Sequence, residues 1–165
     1  MSEGAPGNTH AMSYTVERAN ALDTDSLLEL LDGANAIDEK VQRYRDRIAT
    51  TLENGGHMVV VARSGKAVVG YAAAQDYGPA AAQRGSVARI HDLWVDPSAR
   101  NQGIGAALFA AVRAWAESET RIEFLQWQSS ATAAQFYAHL GLQSHSGPND
   151  QPKFEIDVHL PGRRS

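Results

Sequence analysis

The run Val95-Asp96-Pro97-Ser98-Ala99-Arg100-Asn101-Gln102-Gly103-Ile104-Gly105-Ala106-Ala107-Leu108 carries most of the chemistry legible in this sequence. A strand-like stretch ends at Asp96-Pro97, because proline cannot continue a hydrogen-bonded ladder. An Ala-rich amphipathic stretch opens at Gly103. The segment therefore reads as strand, loop, then helix entry. A helix N-terminus presents unpaired N–H groups and a partial positive charge. Glycine lets a ligand approach the backbone closely, since no Cβ intervenes. Arg100 adds a fixed cation. Together these make an anion cradle suited to a phosphate or diphosphate.

Three phosphate loops compete for this segment. A Walker A loop needs Gly-x-x-x-x-Gly-Lys-Ser/Thr, which the sequence lacks. The dinucleotide fingerprint needs a third glycine where Leu108 stands, and a tighter turn than the one between Val95 and Gly103. A coenzyme A loop of the form Arg/Gln-x-x-Gly-x-Gly/Ala fits at every fixed position, with Arg100, Gly103 and Gly105.

Two further stretches give the loop its context. One is Ile90-His91-Asp92-Leu93-Trp94-Val95-Asp96-Pro97, directly before it. The other is Ala133-x-x-Phe136-Tyr137-x-x-Leu140-Gly141-Leu142, farther on. With them the sequence resembles the GNAT superfamily of N-acetyltransferases, over roughly Tyr14 to Leu160 by element order. The resemblance implies a mixed α/β fold: a central sheet of six or seven strands flanked by about four helices. It also implies acetyl-CoA as cosubstrate, no metal, and transfer of the acetyl group to a primary amine by direct attack.

Residue roles follow from the same resemblance. The backbone of Leu93, Trp94 and Val95 would pair with the pantetheine arm. The corner from Asn101 through Gln102, Gly103, Ile104, Gly105 and Ala106 would hold the diphosphate, with Arg100 supporting it. Ser130, Ala133 and Phe136 would complete the cofactor site. Ser130 stands where family members often carry Asn; it can cap a helix but cannot copy both functions of an amide. Tyr137 matches the family's general acid, and a phenol of ordinary pKa near 10 is protonated at neutral pH. For the base, His91 is the first candidate, having an unperturbed pKa near 6.5, and Asp92 the second. A hydrogen-bonded structural pair is the alternative. Strand alternation predicts that these two neighbours face opposite sides.

The elements that must position these residues read as follows. Ser13 to Arg18 is a short strand. Asp23 to Gly33 is a helix, with Ser26 and Glu29 as a capping box. A second helix starts near Asn35; Ile37, Val41, Tyr44, Ile48 and Leu52 trace one face, and its charged residues read as a solvated face. His57 to Arg63 and Ala67 to Gln75 form a hairpin across Ser64-Gly65-Lys66. A loop runs from Tyr77 to Gly85. Val87 to Val95, Arg121 to Gln128 and Lys153 to Leu160 are strands. Gly103 to Glu117 and Ala131 to Leu140 are helices, and Leu142 to His145 is a weak strand candidate. The order predicts an antiparallel meander followed by helix crossovers.

Composition bounds the rest. The chain has 165 residues, one domain's worth. We read residues 1–12 as a flexible tail and 13–165 as a single domain. Fifteen Lys and Arg against 19 Asp and Glu give a net charge of −4, without the basic footprint of a nucleic-acid binder. No apolar run reaches membrane-spanning length, and the first residues do not read as a signal peptide, so a cytoplasmic location is expected. Absence of cysteine excludes disulfides, thiol nucleophiles and Cys-ligated metals. No His-Glu-x-x-His or Gly-x-Ser-x-Gly pattern occurs.

The acceptor is expected to be a small or peptide amine, in a pocket shaped by the helices between Asp23 and Leu52 and the loop from Tyr77 to Gly85. The acidic balance leans toward polyamines or aminoglycosides. A homodimer through an exposed strand edge is open to the chain. A non-catalytic acyl-CoA sensor and a nucleotide-binding module are the rival functions.

Overall fold

The computed structural model describes residues 12–33, 41–79, 85–119, 121–146 and 150–159. Six strands form one sheet in sequence order: β1 (Thr15–Arg18), β2 (His57–Ser64), β3 (Ala67–Pro79), β4 (Ser86–Val95), β5 (Ile122–Gln128) and β6 (Lys153–Asp157). Strands β1 to β4 are an antiparallel meander. β4 and β5 are parallel, joined over the sheet by α3 (Ile104–Ser118), and β6 returns antiparallel to β5 after α4 (Ala131–His139). The other helices are α1 (Thr24–Gly33) and α2 (Val41–Glu53). The sheet is the mixed, GNAT-like architecture that the sequence predicted, with six strands.

Side-chain alternation along the strands divides the core. Val60, Ala62, Ala72, Ala74, Ala88 and Ile90 face α3 and pack with its Ile104, Leu108 and Val112. Ile104, Leu108, Val112 and Trp115 thus lie on the buried face of α3. Gly70 permits this close approach, because a Cβ there would lie 3.2 Å from Leu108 and 3.0 Å from the Trp94 carbonyl. Val59 and Val61 face the other way, against Leu27 with Ile48 and Leu52 beside them.

Several boundaries differ from expectation. The capping box is Asn20 with Asp23, not Ser26 with Glu29: Asp23 accepts the Asn20 N–H at 2.8 Å, and a short 3-10 turn leads into α1. That places Ser26 inside the helix. Tyr77 to Pro79 belongs to β3 rather than to a loop, since Pro79 pairs with Ser86 across a bulge at Gly78, whose φ is +74°. Residues 142–146 form no strand, although the His145 N–H reaches the Lys153 carbonyl at 2.7 Å. The expected start of α2 near Asn35, Ile37, the tail 1–11 and Leu160 lie outside the described residues. Val41 is exposed, and no residue of α2 is fully buried. No helix among the described residues is long and apolar enough to cross a membrane.

Candidate active site

The sheet forks where the sequence placed its chemistry. β4 and β5 pair from Ser86 with Ile122 to Arg89 with Gln126 and no farther. Among the described residues, Ile90 and Asp92 to Val95 beyond that point pair with β3 alone, and Trp127 and Gln128 with β6 alone. The backbone of Leu93, Trp94 and Val95 therefore meets an open wedge on the β5 side. Strand edges with unused N–H and C=O groups are ready partners for an extended chain.

The helix entry sits against the same wedge. A Cβ on Gly105 would lie 3.2 and 3.3 Å from the Phe136 ring and 3.8 Å from Leu93. The first turn of α3, the α4 residue Phe136 and the β4 residue Leu93 thus meet at one point. Asn101 and Gly103 both have left-handed backbones, with φ of 62° and 81°. They turn the chain so that Gly103 caps α3 without a side-chain hydrogen bond. The first amide of this corner to find a backbone acceptor is that of Ala107, bonded to the Gly103 carbonyl at 3.0 Å. Among the described residues nothing accepts from the amides of Gln102 through Ala106. Arg100 braces the loop, its Nε donating to the Val95 carbonyl at 3.0 Å, with its guanidinium 6.0 Å from the Trp94 ring centroid. Asp96 holds the preceding turn by accepting from the Ser98 amide at 2.8 Å.

Ser130 caps α4, accepting from the Ala133 amide at 3.1 Å. These two expected cofactor contacts are thus bonded to each other, which uses the Ala133 N–H and one of the two lone pairs of the Ser130 hydroxyl. Tyr137 lies one residue beyond Phe136, 5% exposed and ringed by Phe109, Trp127, Phe136 and Phe154. Its hydroxyl has no hydrogen-bond partner among the described residues. Burial pushes its pKa up to about 12. Trp127 and Trp115 are core residues.

The expectation that His91 and Asp92 face opposite sides is overturned. Ala73 pairs with Asp92 and Ala74 with Ile90, so His91 is the extra residue of a β-bulge. Ile90 and Leu93 both pack toward α3, and the two residues between them turn to the other face. Asp92 lines a cavity of ≈ 300 Å³ there, under α1 and α2, with Tyr44, Arg47, Ile48, Tyr71 and Leu27. His91 Nε2 lies 3.2 Å from the Tyr77 hydroxyl. Partial desolvation raises the Asp92 pKa, against the influence of His91. Desolvation lowers that of His91, with Asp92 opposing and Arg89 and His57 adding.

The sequence reading missed Arg47, Tyr71 and the Tyr77–His91 bond. Tyr44 was seen only as part of the α2 stripe. Among the described residues no group of three or more His, Asp or Glu could hold a metal.

Comparison with known proteins bears on this arrangement. The family described as Acetyltransferase (GNAT) family matches residues 24–142. An acetyltransferase of Trypanosoma brucei shares 24% identity at a TM-score of 0.70, with 84% of this chain and 98% of that one covered. Glucosamine-6-phosphate N-acetyltransferase from Arabidopsis thaliana shares 15% at 0.71, covering 84% and 97%. An aminoglycoside acetyltransferase from an uncultured soil metagenomic sample shares 20% at 0.67, covering 83% and 93%. At these identities the likeness is one of fold. No curated protein matches significantly. The family match spans both the glycine-cornered helix entry and the Phe136-Tyr137 segment, and on it the chain is assigned to the GNAT family of acetyltransferases.

Proposed function

We propose that this enzyme transfers an acetyl group from acetyl-CoA to a primary amine, with both bound at once. The observation that carries the reading is the meeting of Gly105, Phe136 and Leu93 at the fork. It joins the unsatisfied amides of α3 to the strand that bears Asp92 and the helix that bears Tyr137. The residues present fit the cofactor: a glycine corner with free N–H groups for a diphosphate, and an unpaired strand edge for an extended amide-bearing arm. Acetyl-CoA would supply the activated acetyl thioester.

In this reading the Gln102–Ala106 amides and Arg100 hold the phosphates, and Leu93 to Val95 align the arm. Because the protein's net charge is negative, binding rests on these local donors rather than on the global field. Asp92 faces the cavity and takes a proton from the amine directly or through water; a neutral amine is what can attack. His91 stands beside it. The Tyr137 hydroxyl, held protonated by its burial, donates to the departing sulfur. The reading thus reverses the order of the two base candidates given by the sequence.

Thiol release across a panel of amines, followed with purified protein and acetyl-CoA, tests the proposal. Amine-dependent thiol release with a matching acetylated product is expected. Binding of coenzyme A without turnover on any amine would instead mark a sensor, and tighter binding of ATP or NAD a nucleotide module.

A second expectation concerns the corner itself. Gly105→Val puts a branched side chain where even a Cβ is too near the Phe136 ring. The ring must yield, and with it the α4 turn carrying Tyr137. Calorimetry should show coenzyme A binding weakened at least ~10-fold, with Gly105→Ala intermediate. Undiminished affinity in the valine variant would separate this corner from the cofactor site.

A further inference from the structure

The cavity beneath α1 and α2 narrows the acceptor. Most of its wall is aliphatic or aromatic, with Leu27, Ile48 and the rings of Tyr44 and Tyr71 prominent. It holds one carboxylate, Asp92 on the sheet, and one guanidinium, Arg47 on α2. Arg45, on the same helix, is neutralised by Asp25 at 2.5 Å, whereas Arg47 lies over the Tyr44 ring, 5.3 Å from its centroid. No carboxylate among the described residues pairs with Arg47. Tyr71 stays a neutral phenol, because burial and then the Asp92 charge push its pKa up.

From this wall we infer that the acceptor is a primary amine with a compact apolar body and one anionic group, seated so that the amine meets Asp92 and the anion meets Arg47. The inference rests on the N-acetyltransferase reading and adds the substrate class to it. A single acid can answer a single cation. The second and third cations of a polyamine would meet Arg47 and hydrocarbon, and a charge moved out of water without a partner is costly. An anion beside Arg47 gains a charge-assisted, forked hydrogen bond. The apolar body covers the leucine, isoleucine and tyrosine surfaces, at about 25 cal/mol per Å² removed from water. A volume of ≈ 300 Å³ suits a small amine better than a multi-ring aminoglycoside. The overall acidity of the chain, which pointed to polycations, is not reproduced inside the cavity.

Matched pairs of amines decide the matter, by binding as well as by turnover. Phenylalanine is set against phenethylamine, and 6-aminohexanoate against pentylamine, so that the carboxylate lies beside the amine or remote from it; spermidine serves as the polycation. Calorimetry on the full chain should show at least one carboxylate-bearing amine binding at least ~10-fold more tightly than its match. That advantage should fall at least ~5-fold in Arg47→Met and return in part in Arg47→Lys. Arg47 is exposed on α2, so these variants are expected to fold, and a melting curve checks it. Matched pairs that bind alike, spermidine binding best, no measurable binding of any of the five, or an advantage that survives Arg47→Met would overturn the assignment. If the carboxylate preference holds in binding while no amine yields thiol, the acetyl-transfer reading fails and the ligand class stands.

Discussion

Replacing Tyr137 with Phe should lower kcat at saturating substrates by about 10²-fold, the usual worth of a positioned proton donor, and leave the fold intact. The ring belongs to an aromatic cluster, with centroids 4.9 Å from Phe136, 5.0 Å from Phe154, 5.2 Å from Trp127 and 5.8 Å from Phe109. Phenylalanine keeps every one of these contacts and removes a single oxygen. That oxygen makes no hydrogen bond to a described residue, so its loss strands no partner, and Tm should move by no more than ~2 °C. With its pKa pushed up to about 12 by burial, the phenol is protonated throughout the working range and can act only as a donor. The KM for acetyl-CoA should change little, because the interaction is one that strengthens as the sulfur takes on charge. A kcat within about twofold of the parent would reduce Tyr137 to a packing residue. Aromatic surroundings alone would explain its position equally well, which is why the measurement must be kcat and not stability.

How much of this site could be read in advance depends on how local its cause is. The corner at Gly103 was legible because the requirement is written in residue types: glycine where no Cβ fits, proline where a strand stops, a helical stripe of Ile104, Leu108, Val112 and Trp115 beyond. Asn101 at φ 62° was not legible as a left-handed residue, since asparagine adopts many backbones. The capping box was misplaced because two such patterns overlap; the 3-10 turn after Asn20 decided between them, and nothing in Ser26-x-x-Glu29 forbids a helix that has already begun. The fork between β4 and β5 and the cavity under α2 are products of packing between distant segments. Arg47 looked like one more solvated charge in a charged helix, and only its seat over Tyr44 at the cavity wall distinguishes it. The bulge at His91 is likewise a matter of register against β3. Ile90 to Val95 shows no glycine or proline to mark it.

That bulge makes the base a question of two adjacent residues on one face, and their ionisations give it an answer. Asp92 sits above its ordinary 3.8, mainly through desolvation, and His91 sits below its ordinary 6.5, also mainly through desolvation. Desolvation thus makes the Asp92 carboxylate more basic and favours the neutral ring of His91. Both forms accept protons. Only Asp92 lines the cavity, while His91 is engaged with Tyr77. The acid limb of kcat should therefore lie above the ordinary carboxylate range, activity rising with pH as the base loses its proton. Asp92→Asn should cost about 10²-fold in kcat and flatten that limb. Stability should not suffer. An acid whose folded pKa is raised favours folding while protonated and loses that advantage as pH climbs through its pKa, so the neutral amide removes a neutral-pH penalty and Tm should hold or rise. His91→Gln should cost less than about tenfold. It should also move the limb to higher pH, because His91 holds the Asp92 pKa down. A limb abolished by His91→Gln and kept in Asp92→Asn would transfer the role to the histidine. Loss of the limb in neither variant would leave the proton to water, with the bulged pair only shaping the cavity mouth.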